Sequence, residues 1–385
     1  MNKILDNIIF EDKLNYYFNN IDSNNILLEN NKVYNSNAGI FKDIPIDIVN
    51  IVDDYKDECK IHSFENVKFN IKNDNSHGFN WRFSPVGIDK NGKIINITNK
   101  LLSYFSILSF ASFNAHFIRE SYNELNSSTD FTIIEDDVFL FLDCFPLASV
   151  HNLDDIYNLL YYYKINNLNC KLLVLKTNDF YYNQSLDSLK KYFNLEYIYL
   201  EVNKNYLFKN FKCVRQYHWI QPDALKFIHK NYIDKICEGY KGQPIHDNIS
   251  IIKTIHQTNA STWDTFEITQ NYINLMFKKN IFNIDNVREN LEYKIYLINN
   301  AKNIITSYLS PFNINLYKHC SRIEEKNIIV LNNAQKFVSG TIVNDFKYIC
   351  MVNNQNIYDF YGIKIHGNVI DIVNSLDEVE QLINF

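Results

Sequence analysis

Phe131-Thr-Ile-Ile-Glu-Asp-Asp-Val-Phe-Leu-Phe-Leu142 is a long extended run, and the elements downstream of it decide the fold. Shortly after it, Leu153, Ile156, Leu160 and Tyr163 recur at helical spacing, with Asn152 positioned to cap and Asp154 and Asp155 in the first turn, where the helix dipole favours them. A short apolar strand comes next, Lys171-Leu-Leu-Val-Leu175, then a helix over about 185–193 and another strand over 195–202. Strand and helix alternate, which predicts a parallel sheet covered by helices.

The alternation repeats further on. Pro222, suited to the first helical position because it has no N–H to leave unbonded, opens a long helix. Its stripe is Leu225, Ile228, Tyr232, Ile233 and Ile236, and Gly239 follows its last turn. Strands are expected at 249–255, 281–284, 303–306 and 327–331, with helices at 264–278, 288–302, 311–318 and 369–383. Upstream, 46–98 reads as β-rich, with runs at Val67–Ile71 and Lys93–Ile97 and a turn at Asp89-Lys-Asn-Gly92. The expected class is α/β: two Rossmann-like domains with a β-rich N-terminal extension. The expected division is an irregular segment over 1–45, an acceptor-side α/β domain over 46–220 and a linking helix over 221–247. A nucleotide-sugar domain over 248–340 and a closing strand and helix over 341–385 complete it.

Composition bounds the partners. The 385 residues are enough for two cores, and a net charge of −6 without a basic run argues against nucleic acid, which is bound through clustered Lys and Arg. The 7 cysteines are odd in number and scattered, with no pair at C-x-x-C spacing, so free thiols in a reducing compartment and no zinc site are expected. The longest apolar stretch, Leu101–Phe113, is interrupted by serines and falls short of the roughly 20 residues of a membrane span. The N-terminus lacks a continuous apolar signal region, so the expected location is the cytoplasm. The oligomeric state is left open.

No G-x-G-x-x-G, Walker loop, H-E-x-x-H or G-x-S-x-G occurs, so chemistry has to come from three less visible segments. In Val150-His151-Asn-Leu-Asp154-Asp155, an imidazole and two carboxylates within a helical turn can deprotonate a hydroxyl, although the same residues would serve as a capped helix start. In Ser250-Ile-Ile-Lys253-Thr-Ile-His256, a cation at a strand end can hold a diphosphate, or be a surface lysine. In Asn300-Ala-Lys-Asn-Ile-Ile-Thr-Ser307-Tyr-Leu-Ser310-Pro-Phe-Asn313, a strand meets a polar turn and a helix start with Pro311, where free N–H groups attract phosphate.

The order of these segments resembles the catalytic domain of glycosyltransferase family 61 over roughly residues 130–335. His151 and Asp154 match that family's helix-start histidine and acidic residue. Lys253 falls where the family has a phosphate-contacting arginine, and Ala301 to Asn313 or Asn315 falls on its late A-x-x-I-I-G-x-H-G-A-G-x-x-N segment. The resemblance implies a GT-B fold and inverting transfer from a UDP-sugar to a glycan or glycosylated acceptor. It implies no metal and no cofactor beyond the donor. His151, Asp154 and Asp155 would act on the acceptor, and Lys253, His256, Ser307, Ser310 and Asn313 on the donor. The family's glycines and histidine are replaced here by Tyr308, Leu309, Ser310 and Pro311. There are two alternatives: a catalytically inactive GT-B-like binding protein, and a metal-dependent GT-A-type enzyme using Glu135-Asp136-Asp137, whose carboxylates could hold Mn²⁺ or Mg²⁺.

Overall fold

The computed structural model describes residues 26–29, 32–35, 61–73, 83–92, 94–95, 120–142, 149–214, 222–251, 270–287, 290–307, 318–322, 325–331, 370–373 and 376–383. It is a mixed α/β structure whose chain divides into two compact units, Met1–Ala224 and Leu225–Phe385.

In the first unit, β1 (Ile26–Glu29) and β2 (Lys32–Asn35) form an antiparallel pair within the segment expected to be irregular. The remaining strands are β3 (His62–Asn73), β4 (Phe83–Ile88), β5 (Ile94–Ile95), β6 (Thr132–Leu140), β7 (Lys171–Leu175), β8 (Tyr197–Leu200) and β9 (Tyr206–Cys213). They make one seven-stranded sheet in the order β5-β4-β3-β9-β6-β7-β8. Helix α1 covers 120–127, α2 covers Ser149–Ile165 and α3 covers Phe180–Phe193.

The β-rich region is therefore not an extension but supplies three of this sheet's seven strands, β3, β4 and β5, and β9 is the seam. It pairs antiparallel with β3 on one side and parallel with β6 on the other. The sequence pattern assigns no strand there. Tyr206, Phe208, Phe211 and Cys213 are its buried residues, and the inward alternation shifts by one between Phe208 and Phe211. Both neighbours are irregular at that level. β6 shifts register between Ile134 and Asp137, and β3 carries Asn66 at φ 54. Irregularities of this kind bend and twist a strand, and they hide it from a strict period-two pattern. The rings of Phe69, Phe208 and Phe211 pack at this bend, with Phe69 and Phe208 centroids 5.5 Å apart. The buried ammonium of Lys72 on β3 pairs with Glu124 and Glu120 of α1.

The β6-α2-β7-α3-β8 segment is the expected alternation, and its three strands are parallel. Leu172, Leu173, Val174 and Leu175 are all buried, so β7 is covered on both faces, as a parallel strand's continuous apolar run requires. The helices start earlier than the sequence suggests. In α3 the carboxylate of Asp179 accepts from the Tyr182 N–H at 2.8 Å, and this cap moves the start upstream of 185. Left-handed Asn194 (φ 51) ends the helix.

Helix α4 runs from Pro222 to Gly239, with its first three residues in the first unit and the rest in the second, and has a π-helical turn over His229–Ile233. Then come β10 (Asn248–Ser250), α5 (Gln270–Lys278), β11 (Phe282–Asn283), α6 (Leu291–Asn300), β12 (Asn303–Ser307), β13 (Asn327–Leu331), β14 (Ile370–Val373) and α7 (Leu376–Ile383). The expected helix over 369–383 is corrected here: its first part is the strand β14. Val369-Ile-Asp-Ile-Val373 is dominated by β-branched residues, which suit a pleated strand beside β13 better than a helix turn.

All five strands are parallel, in the order β11-β10-β12-β13-β14. Ile305 and Ile329 point to a core with Leu275, Ile281 and Val379, against which Met276, Leu382 and Ile383 pack. Their neighbours Ile304 and Ile328 are buried too, so this sheet is covered on both faces. At its amino edge the register partners Asn248, Asn303 and Asn327 form a ladder. Asn303 Nδ2 donates to Asn248 Oδ1 at 2.7 Å, and Asn327 Nδ2 donates to Asn303 Oδ1 at 2.8 Å. Among the described residues no helix is long and apolar enough to cross a membrane.

Candidate functional site

Counted within the second unit, the strand order is 2-1-3-4-5. From β10 the chain moves to β11 on one side, and from β11 it returns to β12 on the other. The direction of winding thus reverses between β10 and β12, and in open parallel sheets ligands settle outside the carboxyl ends of the strands at such a point.

Two of the three segments singled out in the sequence leave from this place. β10 pairs with β12 through Asn248↔Asn303, Ile249↔Ile304 and Ser250↔Ile305, and the Ile251 N–H donates to the Ile305 carbonyl at 2.8 Å. Lys253 and His256 follow just beyond β10, and Ser310 and Asn313 just beyond β12; all four lie outside the described residues. Ser307 is the last residue of β12, in register with Leu331. Of the expected helix over 311–318, residues 311–317 lie outside the described residues, and Lys318 is helical.

Asn283 is a polar residue that the sequence pattern did not single out. It ends β11 in register with Ser250, and both polar side chains are buried at the carboxyl edge. A polar residue inside the short apolar run Ile281–Ile284 was the only available signal, and it is shared by many strands.

In the first unit the third segment also stands at the carboxyl edge of parallel strands. β6 ends at Leu140, and α2 begins at Ser149. Asn152 is therefore not the cap: it lies inside the helix, and Asp154 and Asp155 fall beyond its first turn. Pro146 bars helix immediately upstream, but nothing between it and Asn152 does, so the helix extends back to Ser149. Positions 151, 154 and 155 fall on one face of α2 by helical spacing.

The acidic triplet Glu135-Asp136-Asp137 lies within β6, at its register shift, rather than after a strand end. Asp136 pairs with Lys171 at 2.9 Å and Asp137 with Lys212 at 2.9 Å. The hydrogen bond from Lys212, helped by its charge, holds the Asp137 carboxyl below its usual range, and the bond to Asp136 raises Lys171. A cation here would have to compete with two ammonium groups already in place. Among the described residues no three His, Cys, Asp or Glu groups cluster so as to hold a metal ion. Cys170, Cys213, Cys237 and Cys320 form no disulfide, and burial pushes Cys170 and Cys237 each up to about 11, which leaves them poor nucleophiles.

Fold and site together define a mixed α/β protein of two units, each with parallel strands whose carboxyl ends carry polar segments. Neither protein-family models nor curated proteins match this chain.

Proposed function

We propose that this protein is a glycosyltransferase that moves a sugar from a UDP-sugar to a glycan or glycosylated acceptor, with two Rossmann-like units of the GT-B class. The observation that carries the reading is the reversal of winding between β10 and β12, from whose carboxyl ends the Lys253–His256 and Ser307–Asn313 segments depart. A diphosphate has two negative groups to neutralise. An ammonium after one strand and hydroxyls after its neighbour suit it.

In the proposed reaction the acceptor hydroxyl loses its proton to His151 or to a neighbouring carboxylate, Asp154 or Asp155, and its oxygen attacks C1 of the donor sugar. The C1–O bond to UDP breaks, the configuration inverts, and the leaving diphosphate keeps the electron pair. Lys253, His256, Ser307, Ser310 and Asn313 stabilise that charge, so no metal is required. The cytoplasm is the proposed location.

Calorimetric titration of the full chain with UDP and a set of UDP-sugars, followed by donor hydrolysis, tests this. UDP binding together with slow hydrolysis of one donor is expected, unaffected by EDTA. Binding without hydrolysis would favour the inactive binding protein, which the replaced glycines at Leu309, Ser310 and Pro311 motivate. Activity lost in EDTA and restored by Mn²⁺ would favour the acidic triplet of β6. No heat with any nucleotide would remove the transferase reading.

A further inference from the structure

We propose that the paired rings of Phe180 and Tyr181 form a carbohydrate-stacking subsite, holding a sugar ring of the acceptor at the carboxyl edge of β7. The inference rests on the transferase reading for the word acceptor, but its geometry belongs to the first unit alone. Phe180, Tyr181 and Tyr182 are consecutive aromatics at the start of α3, and only Tyr182 serves the core. Its hydroxyl accepts from the Leu175 N–H at 3.1 Å, and with Leu186, Leu189 and Phe193 it makes the buried stripe of the helix. Phe180 and Tyr181 lie off that stripe. Their rings meet edge to face at 5.6 Å while 51% and 48% of each residue stays exposed.

Size selects the kind of ligand. Two half-exposed aromatic side chains present about 200 Å², given about 150–250 Å² for each whole side chain. A stable protein interface needs about 800 Å² per partner, so the patch suits a small ligand. Its rim is polar: exposed Asn178 precedes it, and the exposed Lys176 Nζ–Glu201 Oε1 pair, 3.0 Å apart, closes the same strand ends. A sugar ring offers apolar C–H faces with hydroxyls around its edge, the complement of ring faces bordered by hydrogen-bonding groups. The topology also supplies proximity to the proposed chemistry. α2, which carries His151, follows β6, and α3 follows β7, the parallel neighbour of β6, so both helix starts occupy one sheet edge.

The test titrates the full chain with cellotetraose, maltotetraose, chitotetraose and xylotetraose, comparing wild type with the double variant Phe180→Ala/Tyr181→Ala. Phe277→Ala, which removes an 83% exposed aromatic from α5, is the control. At least one saccharide is expected to bind wild type and the Phe277 variant alike, and to bind the double variant at least tenfold more weakly, with circular dichroism unchanged. The proposal is overturned if none of the four binds wild type, if the double variant binds as tightly, or if Phe277→Ala is equally impaired. UDP titration of the same samples separates the two ideas. Saccharide binding without UDP binding keeps the subsite and removes the transferase reading, and the reverse keeps the reading and removes the subsite.

Discussion

Replacing Asn303 by Ala cuts the asparagine ladder at its middle rung. Asn303 is 2% exposed and uses both ends of its amide, donating to Asn248 and accepting from Asn327. Each net hydrogen bond contributes about 1 kcal/mol, and a partner left buried and unpaired costs about 1–3 kcal/mol more. Asn248 and Asn327 are only partly buried, so water recovers some of that cost. The loss comes to about 2–4 kcal/mol, or about 1–2 M in urea midpoint for a slope of about 2 kcal/mol per M. A chain of two units need not unfold in one step, so the readout has to be local. Hydrogen exchange by mass spectrometry supplies it: protection should fall in peptides covering β10, β12 and β13 and hold in those covering β6 and β7. Asn303→Asp keeps the acceptor for Asn327 but turns a carboxylate toward Asn248 Oδ1, and it should not restore stability. A change below about 0.5 kcal/mol in Asn303→Ala, or lost protection confined to the first unit, would refute the ladder as a register lock.

Burial, followed by the charges of Lys318, His229 and Lys294, depresses His319 to about 3, so it stays neutral in the folded chain while the unfolded chain protonates below about 6.5. Stability of the second unit is therefore full above about pH 6.5 and should fall by up to about 1.4 kcal/mol per pH unit toward pH 3. Urea unfolding at stepped pH should show a shallower fall in His319→Asn. Tyr182→Phe removes the acceptor for the Leu175 N–H and should cost about 1–2 kcal/mol, read as faster exchange of that amide. Under the proposed function, Lys253→Ala should weaken UDP binding about tenfold, a change of about 1.4 kcal/mol. His151→Ala should lower turnover about 10²–10⁴-fold with UDP affinity unchanged; wild-type turnover would remove it from the mechanism.

Two of the parallel strands were legible with their limits, because each is short, mostly apolar and bounded by turn residues: Lys171–Leu175 and Asn327–Leu331 end where the sequence suggests. The turn at Asp89–Gly92 was legible for a similarly local reason, since Gly92 adopts φ +79 and its N–H donates to the Asp89 carbonyl at 3.0 Å. Helix starts were less so, because a cap competes with neighbouring candidates: Asp179 took the start of α3 from residues further along. At β14, Ile372 fits the helical spacing of Leu376, Val379 and Ile383 as well as a β-branched strand, and the pairing with β13 decided between them.

By itself the sequence determined the α/β class, the alternation of strands and helices, and the polar segments that follow certain strands, because periodicity and turn chemistry act over a few residues. Only the tertiary structure decided that β9 joins the β-rich strands to the parallel ones. It alone placed β10 beside β12, so that two segments more than 40 residues apart leave one sheet edge together. Strand order depends on pairing between distant residues, whose backbone hydrogen bonds are the same whatever the side chains. No local pattern encodes which neighbour a strand will choose.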